Sequence, residues 1–406
     1  MNEHQKKRIL VIGDGATGSG FARVIKSIFI RLTDHYDIKQ LLPFDVSLTD
    51  SQPDWPWPLF GIDPKTNAEK PIDRLLDDLQ PELILIVNDM HVIRKYILLL
   101  DSWRKTHDVK LLAYCPIDLT PLPLDLVGPL QGLDALVAYT EFGRGVIEES
   151  FLQLNTGNPG PEMHVIPHGI DTDLFFPLSS DGTSNPDRKA ARRTLFDDDV
   201  DYLDSFIVLN ANRNQPRKRI DLTIRGFSLF ADDKPANVFL YLHMGLKDLA
   251  WDIVELCKRH DVYERLIVSA NQDAGPSVDD ARLNVIYNAC DVGVNTAVAE
   301  GWGLVSFEHA ATGAAQIVPC HTALAELWEG SAVTVHPSFT LTDPKGLFDE
   351  YFVAPEDVAR SLESLYRDPV YRQQMSLKAY QNATQPKYSW GVIAETWKQL
   401  LDQYLN

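Results

Sequence analysis

The chain has 406 residues, enough for two domains of ordinary size with full cores. Its composition is globular, and no apolar run reaches the roughly 18 residues that a membrane-spanning helix needs. A formal net charge of −19 argues against a nucleic-acid partner, whose phosphates need a cationic face, and against general attraction to anionic lipid.

Residues 1–13, MNEHQKKRILVIG, carry charges and then a strand-like run at 8–12. They lack the apolar core and small-residue cleavage site of a signal peptide. Lys6, Lys7 and Arg8 make a local basic patch. The stretch GDGATGSGFAR, 13–23, follows that strand and opens a helical pattern over 21–32. It contains a literal GxGxxG at Gly13, Gly15 and Gly18, the mark of a dinucleotide site. The acid that should end the second strand of such a site comes late, as Asp45 after Pro43, so a dehydrogenase is the weaker reading. QPDWPWPLFGIDP, 52–64, is dense in Pro and aromatic rings. It is expected to be an ordered surface loop packing its own rings. Its composition also leaves open stacking on a sugar, or peripheral membrane contact.

Residues 83–87 read as a strand, and VNDMHVI follows, with Asp89 suited to cap a helix and His91 beside it. Further strands are expected at 110–114, 135–138 and 163–167. Residues 178–204 are polar and contain a basic helix at 188–196. From 205 the alternation resumes, with strands at 205–209, 238–242, 266–269, 292–294, 316–318 and 332–335 and a final helical pattern at 392–404. This alternation predicts an α/β chain of two separately wound, mostly parallel sheets. Ligands of such sheets sit at the carboxyl ends of the strands.

Cys115, Cys257, Cys290 and Cys320 are scattered, without a CxxC pair, and three lie in or beside apolar runs. Buried reduced thiols and a cytoplasmic setting are expected. The histidines show no metal-binding spacing, and no GxSxG nucleophile occurs. Asp171-Thr172-Asp173 is a literal DxD, taken as structural, and the acidic run 197–201 as a solvated loop.

Two motifs carry chemistry. EGWGLVSFE, 300–308, follows the apolar run at 291–294, with Asp291 opening that strand in a structural role. A strand that turns through glycines into a helix offers free backbone N–H groups and a positive dipole end, an anion site. Glu300 and Glu308 would repel a phosphate, but they suit hydroxyls. A ligand with a phosphate and several hydroxyls, such as a nucleotide sugar, fits both. The plainer alternative is a glycine-kinked helix start with two solvated carboxylates. Upstream, LNANRNQPRKRIDLTIRGF, 209–227, places Arg213 and Lys218 in a polar turn before a helix. Fixed cations in a water-poor site stabilise charge on a departing phosphate. The plainer alternative there is an exposed basic turn, to which Arg217 and Arg219 belong in part.

These motifs resemble the retaining glycosyltransferases of family 4. The resemblance implies the GT-B architecture, two Rossmann-like doubly wound domains facing a cleft. Residues 1–170 would form the acceptor-side domain and 171–388 the nucleotide-sugar domain, with 389–406 a helix crossing back to the first; IPHGIDTDLF, 166–175, would be the junction. It implies transfer of a sugar, with retention, from a nucleoside diphosphate sugar to a hydroxyl of a glycan, lipid or small molecule. Arg213 and Lys218 would hold the diphosphate, Glu300 the sugar hydroxyls and Glu308 the ribose. Gly301, Trp302, Gly303 and Leu304 would line the donor, and Asn271 would lie where the base is held. Gly18 and Gly20 would form a glycine loop reaching donor or acceptor, and His91 would contact the donor sugar. No metal and no cofactor are implied. The chain departs from the family's usual pattern at four places: Asn212 and Arg219 stand where glycines flank the Arg and Lys, His168 where Asn is common, and Thr322-Ala323 where Gly-Gly precedes Glu326. A GT-B-fold epimerase or phosphorylase, or a non-catalytic nucleotide-sugar binder, are the alternatives.

Overall fold

The apolar runs become the strands of two parallel sheets, each in its own compact unit: Met1–Gly169 with Trp390–Asn406, and Ile170–Ser389. A computed structural model describes residues 6–15, 19–43, 55–61, 69–158, 160–179, 185–197, 199–269 and 278–406.

The first unit holds β1 (Lys7–Gly13), β2 (Tyr36–Leu41), β3 (Leu59–Phe60), β4 (Leu83–Val87), β5 (Lys110–Cys115), β6 (Ala135–Ala138) and β7 (Glu162–Val165). All are parallel, in the spatial order 3-2-1-4-5-6-7. Helices cover such a sheet on both faces, so its inner strands are continuous apolar runs. β4 is buried along its whole length. The helix expected over 21–32 runs Gly20–Phe29 and then tightens, because Arg31 and Leu32 donate to carbonyls three residues back.

β2 was not among the expected strands. Asp37, Lys39 and Gln40 break its apolar pattern, and Gln40 is nevertheless fully buried. Its Nε2 donates to the carbonyls of Gly13 (2.9 Å) and Asp14 (3.0 Å), and its Oε1 accepts from the indoles of Trp55 (3.0 Å) and Trp57 (2.9 Å). The described part of the aromatic segment, 55–61, thus packs its rings inward, with Trp55 edge-on to Trp57. Asp45 and the rest of that segment lie outside the described residues. The basic patch is spoken for: Lys7 pairs with Glu82 at 3.0 Å, and Arg8 donates to the Gln80 carbonyl at 2.6 Å.

The final helix, Trp390–Leu405, packs on this first unit. Trp397 is fully buried edge-on to Tyr114, and Tyr36 donates to Asp402 at 2.7 Å. Gly169 lies against Trp390, where an added Cβ would come within 2.5 Å of the ring. His168, just before it, is buried against Tyr139, and burial pushes its imidazole down to about 3, so it is neutral.

The second unit holds β8 (Phe206–Asn210), β9 (Val238–Leu242), β10 (Leu266–Val268), β11 (Val292–Val294), β12 (Ala315–Pro319) and β13 (Val333–Val335), parallel and in the order 10-9-8-11-12-13. A hairpin, β14 (Phe339–Thr342) with β15 (Asp349–Phe352), was not expected, because β14 is exposed throughout and carries no core signal. Asp171 accepts from the Asp173 amide at 3.1 Å, a local turn bond. Cys115, Cys257 and Cys290 are buried thiols, and Cys320 is half-buried. No helix among the described residues is long and apolar enough to cross a membrane.

The basic helix Arg188–Phe196 is tied to the start of β11 by a buried ionic cluster. Arg192 donates to Asp291 at 2.7 Å and to the carbonyls of Ala289 and Ser205, both at 2.9 Å. Asp291 also accepts from the Ile207 amide of β8 at 2.8 Å. Removing one member leaves the other charged and buried, which costs about 3–5 kcal/mol. Asp291→Ala is therefore expected to make the second unit melt well before the first in a thermal scan, whereas wild-type melting would exclude this role.

Candidate functional site

β8 and β11 lie side by side, with Val292 opposite Val208. Strands β9 and β10 continue the sheet on one side of this pair, and β12 and β13 on the other. Such a point, where strand order reverses, opens a crevice at the carboxyl ends. Both chemically loaded motifs leave the sheet there: 211–219 after β8 and 295–303 after β11.

The first loop is built by asparagines. Asn210 accepts from the Asn212 amide at 3.0 Å and donates to Thr223 at 2.9 Å. Thr223 in turn meets the Thr296 hydroxyl of the second loop at 2.7 Å. Asn214 donates to the carbonyls of Trp251 (2.7 Å) and Gly245 (3.1 Å). A short turn, Pro216–Lys218, ends at Arg219, whose φ of 47° is left-handed. That conformation costs a non-glycine residue about 1–2 kcal/mol. Asp221 takes Arg219 in a forked pair, at 2.9 and 2.5 Å, and the guanidinium lies over the rings of Phe352 and Trp251.

The two loops are stitched together. The Val298 amide donates to the Arg217 carbonyl at 2.9 Å, and the Arg217 guanidinium donates to the Ala299 carbonyl at 3.0 Å. The Lys218 ammonium donates to the Glu300 carboxylate, whose other oxygen lies 3.6 Å from Arg217. Lys218 and Glu300 are 8% and 6% exposed, so this is a buried pair. Burial alone would push the Glu300 carboxyl up, but the charges of Lys218 and Arg217 outweigh it and hold the group below its ordinary value.

Glu308 is equally buried and accepts from Tyr287 at 2.9 Å. The reading of two solvated carboxylates is thereby overturned. Gly303 has a φ of 89° and starts the helix Leu304–Ala311, which has no side-chain cap. Gly301 is buried and Leu304 half-buried. The Trp302 ring is buried, stacked on Phe307 at 4.9 Å and edge-on to Tyr388, so its indole belongs to the core.

Arg213 stands apart from this pair. Its side chain is 60% exposed and forked on Asp248, at 2.6 and 3.2 Å. In the first unit, His91 is exposed in the opening turn of Met90–Arg104, and Asp89 caps that helix with its backbone alone. Gly20 is the exposed first residue of its helix, capped by the Ser19 hydroxyl. Gly18 and Asn271 lie outside the described residues. Glu326 is exposed. Arg217, marked by the sequence only as part of a basic turn, Asn212, marked only as a departure from glycine, and Asn210 and Asn214, marked by no motif, all hold this loop. Their alternation after an apolar strand was the available signal for a loop held by its own side chains.

No family model matches the chain. The mannosylfructose-phosphate synthase of Agrobacterium fabrum (strain C58) is 29% identical over 197 residues, and the match spans 48% of this chain and only 39% of that protein. The sucrose-phosphate synthase from Thermosynechococcus elongatus superposes with a TM-score of 0.74 at 16% identity, over 98% of this chain and 99% of the other. HepE of Anabaena, solved in complex with UDP-glucose, gives 0.72 at 15% identity over 98% and 99%. The E. coli trehalose-6-phosphate structure with UDP-2-fluoro glucose bound gives 0.69 at 15% identity over 98% and 99%. At such identities the likeness establishes the fold, and the chain has the GT-B architecture of two Rossmann-like α/β domains.

Because the Glu300 carboxyl is held low in the folded chain, its pairing stabilises the fold above the ordinary carboxyl range. That contribution is lost as pH falls through the depressed value. The melting-temperature difference between wild type and Glu300→Gln should be flat from about pH 6 to 8 and shrink below about pH 4. A difference that grows on acidification would contradict the pairing.

Proposed function

We propose that this chain is a retaining glycosyltransferase of the family-4 kind. It would move a sugar from a uridine diphosphate sugar to a hydroxyl of a sugar phosphate. The donor class draws support from the UDP-glucose and UDP-2-fluoro glucose held by two structures of the same fold. The acceptor class draws support from the relatives described as phosphate synthases.

The observation that carries the proposal is the buried Lys218–Glu300 pair at the switch point. An ammonium has three donors and a carboxylate has several acceptor positions. The pair therefore offers donors and acceptors a few ångströms apart. A nucleotide sugar presents the matching set, since its anomeric phosphate oxygen neighbours the sugar hydroxyls. In this scheme Lys218 and Arg213 stabilise the charge that grows on the diphosphate as it leaves. Glu300 orients the sugar, and Glu308, set by Tyr287, takes the ribose. The uncapped N-terminus at Gly303 and Leu304 adds its amides for an anion. The leaving phosphate takes the acceptor proton on the same face, so no separate base and no metal step enter. His91, Gly18, Gly20 and Asn271 keep the roles that the resemblance gives them.

A thermal-shift screen against uridine, guanosine and adenosine diphosphates and their sugars is expected to single out the uridine series, since a ligand that binds only the folded state raises the melting temperature. With a labelled donor and a panel of hexose phosphates, wild type should yield a glycosylated phosphate. Lys218→Ala should lower turnover by about a hundredfold or more. Near-normal transfer by that variant would remove the assignment. A labelled product formed without any acceptor would point to an epimerase instead.

A further inference from the structure

Glu300 has little stiffness of its own. Gly301 follows it, and Gly303 two residues later is left-handed, so the backbone on that side has glycine's freedom. The residue is held from another segment. After β12 the chain passes through His321 to Thr322, whose φ is 45°. A β-branched residue rarely adopts that conformation. Its hydroxyl is turned inward and 8% of the residue is exposed. The hydroxyl donates to the Glu300 carbonyl at 3.0 Å and faces the Glu300 amide at 3.4 Å. One side chain thus grips both peptide groups of the same residue.

The surroundings brace that grip. His321 Nε2 donates to the Ala297 carbonyl at 3.0 Å, and its Nδ1 lies 3.2 Å from the Thr322 hydroxyl. Its ring stacks on Tyr351 of β15 at 5.2 Å, and the Tyr351 amide donates to the Val298 carbonyl at 3.0 Å. The hairpin and the turn after β12 therefore clamp 297–300 from outside, while Arg217 and Lys218 hold it from the β8 side. A left-handed turn alone asks only for glycine. A threonine there has a reason only if its hydroxyl is used.

We infer that Thr322 is the positioning residue of Glu300, aiming its carboxylate by fixing the peptide groups on both sides of it. This deepens the reading of Glu300 as the sugar-facing carboxylate and rests on it for its catalytic consequence.

Three variants separate the hydroxyl from the turn. Thr322→Val keeps the shape and loses the hydroxyl. Thr322→Gly relieves the turn and loses the hydroxyl. Thr322→Ser keeps the hydroxyl. Transfer kinetics are measured beside the pH titration of the Glu300 carboxyl by carbon NMR, with that signal identified by its loss in Glu300→Gln. In the valine and glycine variants kcat should fall about tenfold or more, with the donor KM within about threefold, as expected when orientation rather than affinity is lost. The Glu300 titration should move up toward an ordinary carboxyl in both. Serine should restore both readouts, and the glycine variant should melt no lower than wild type. A glycine variant with wild-type kcat and wild-type Glu300 titration overturns the inference. If wild type transfers no sugar and yet the titration moves as described, the positioning role stands and the transferase reading falls. If every variant transfers normally, the transferase reading stands and Thr322 has no such role.

Discussion

A buried ammonium and a buried carboxylate joined across the β8–β11 switch point organise the second unit's candidate site. Each charge withdrawn from water costs several kcal/mol, and their mutual attraction offsets this only when the geometry is good and further hydrogen bonds are made. Here those bonds exist. Arg217 adds a second cation beside Glu300, the Thr322 hydroxyl grips its backbone, and the carbonyls of Lys218 and Arg219 accept from Thr296. A pair placed only for stability could be replaced by packed apolar side chains at little loss. A pair set where parallel strands open a crevice, with polar groups spent on aiming it, is better explained by a ligand.

The sequence made the sheets legible and left the braces hidden, for one physical reason. A strand covered on both faces must be apolar throughout, so β4, β6, β9 and β11 could be placed from composition alone. β2 escaped because a glutamine interrupts its buried apolar residues, and its burial is permitted by two hydrogen bonds that it donates and two that it accepts from residues distant in the chain. The β14–β15 hairpin escaped because β14 has no buried face. At the site, Glu300 and Lys218 could be singled out from their spacing and their glycines. That they meet, and that Arg217 joins them, depends on a register between two loops 82 residues apart in the chain. Local pattern carries no such information.

The departures from the resembled pattern are instructive in the same way. Arg219 and Thr322 stand where glycines are usual, and both keep the left-handed backbone that a glycine would supply. Each costs about 1–2 kcal/mol relative to a relaxed residue. Each then uses the side chain that glycine lacks. Arg219 forks onto Asp221 and covers the ring of Phe352, and Thr322 holds Glu300. The backbone shape is thus kept while its support shifts from conformational freedom to specific contacts. Phe352 belongs to the hairpin, so the same exchange ties that hairpin to the site.

Charge raises an apparent conflict that distance resolves. A chain of net charge −19 should repel an anionic donor. Exposed charges, however, are screened over about 8 Å at physiological ionic strength, whereas buried ones are screened far less. Around the first loop stand Arg213, Arg217, Lys218 and Arg219, against Asp248, Glu300 and Asp221. Every one of these cations has a carboxylate within ion-pair distance, and the small positive excess left around the loop is cancelled by Glu308 of the same site. Its attraction for a diphosphate must therefore come from short-range, oriented donors rather than from a broad positive field. Affinity should then be governed by how well the carboxylates hold the cations in place, which makes the acids of this site as important to anion binding as its bases.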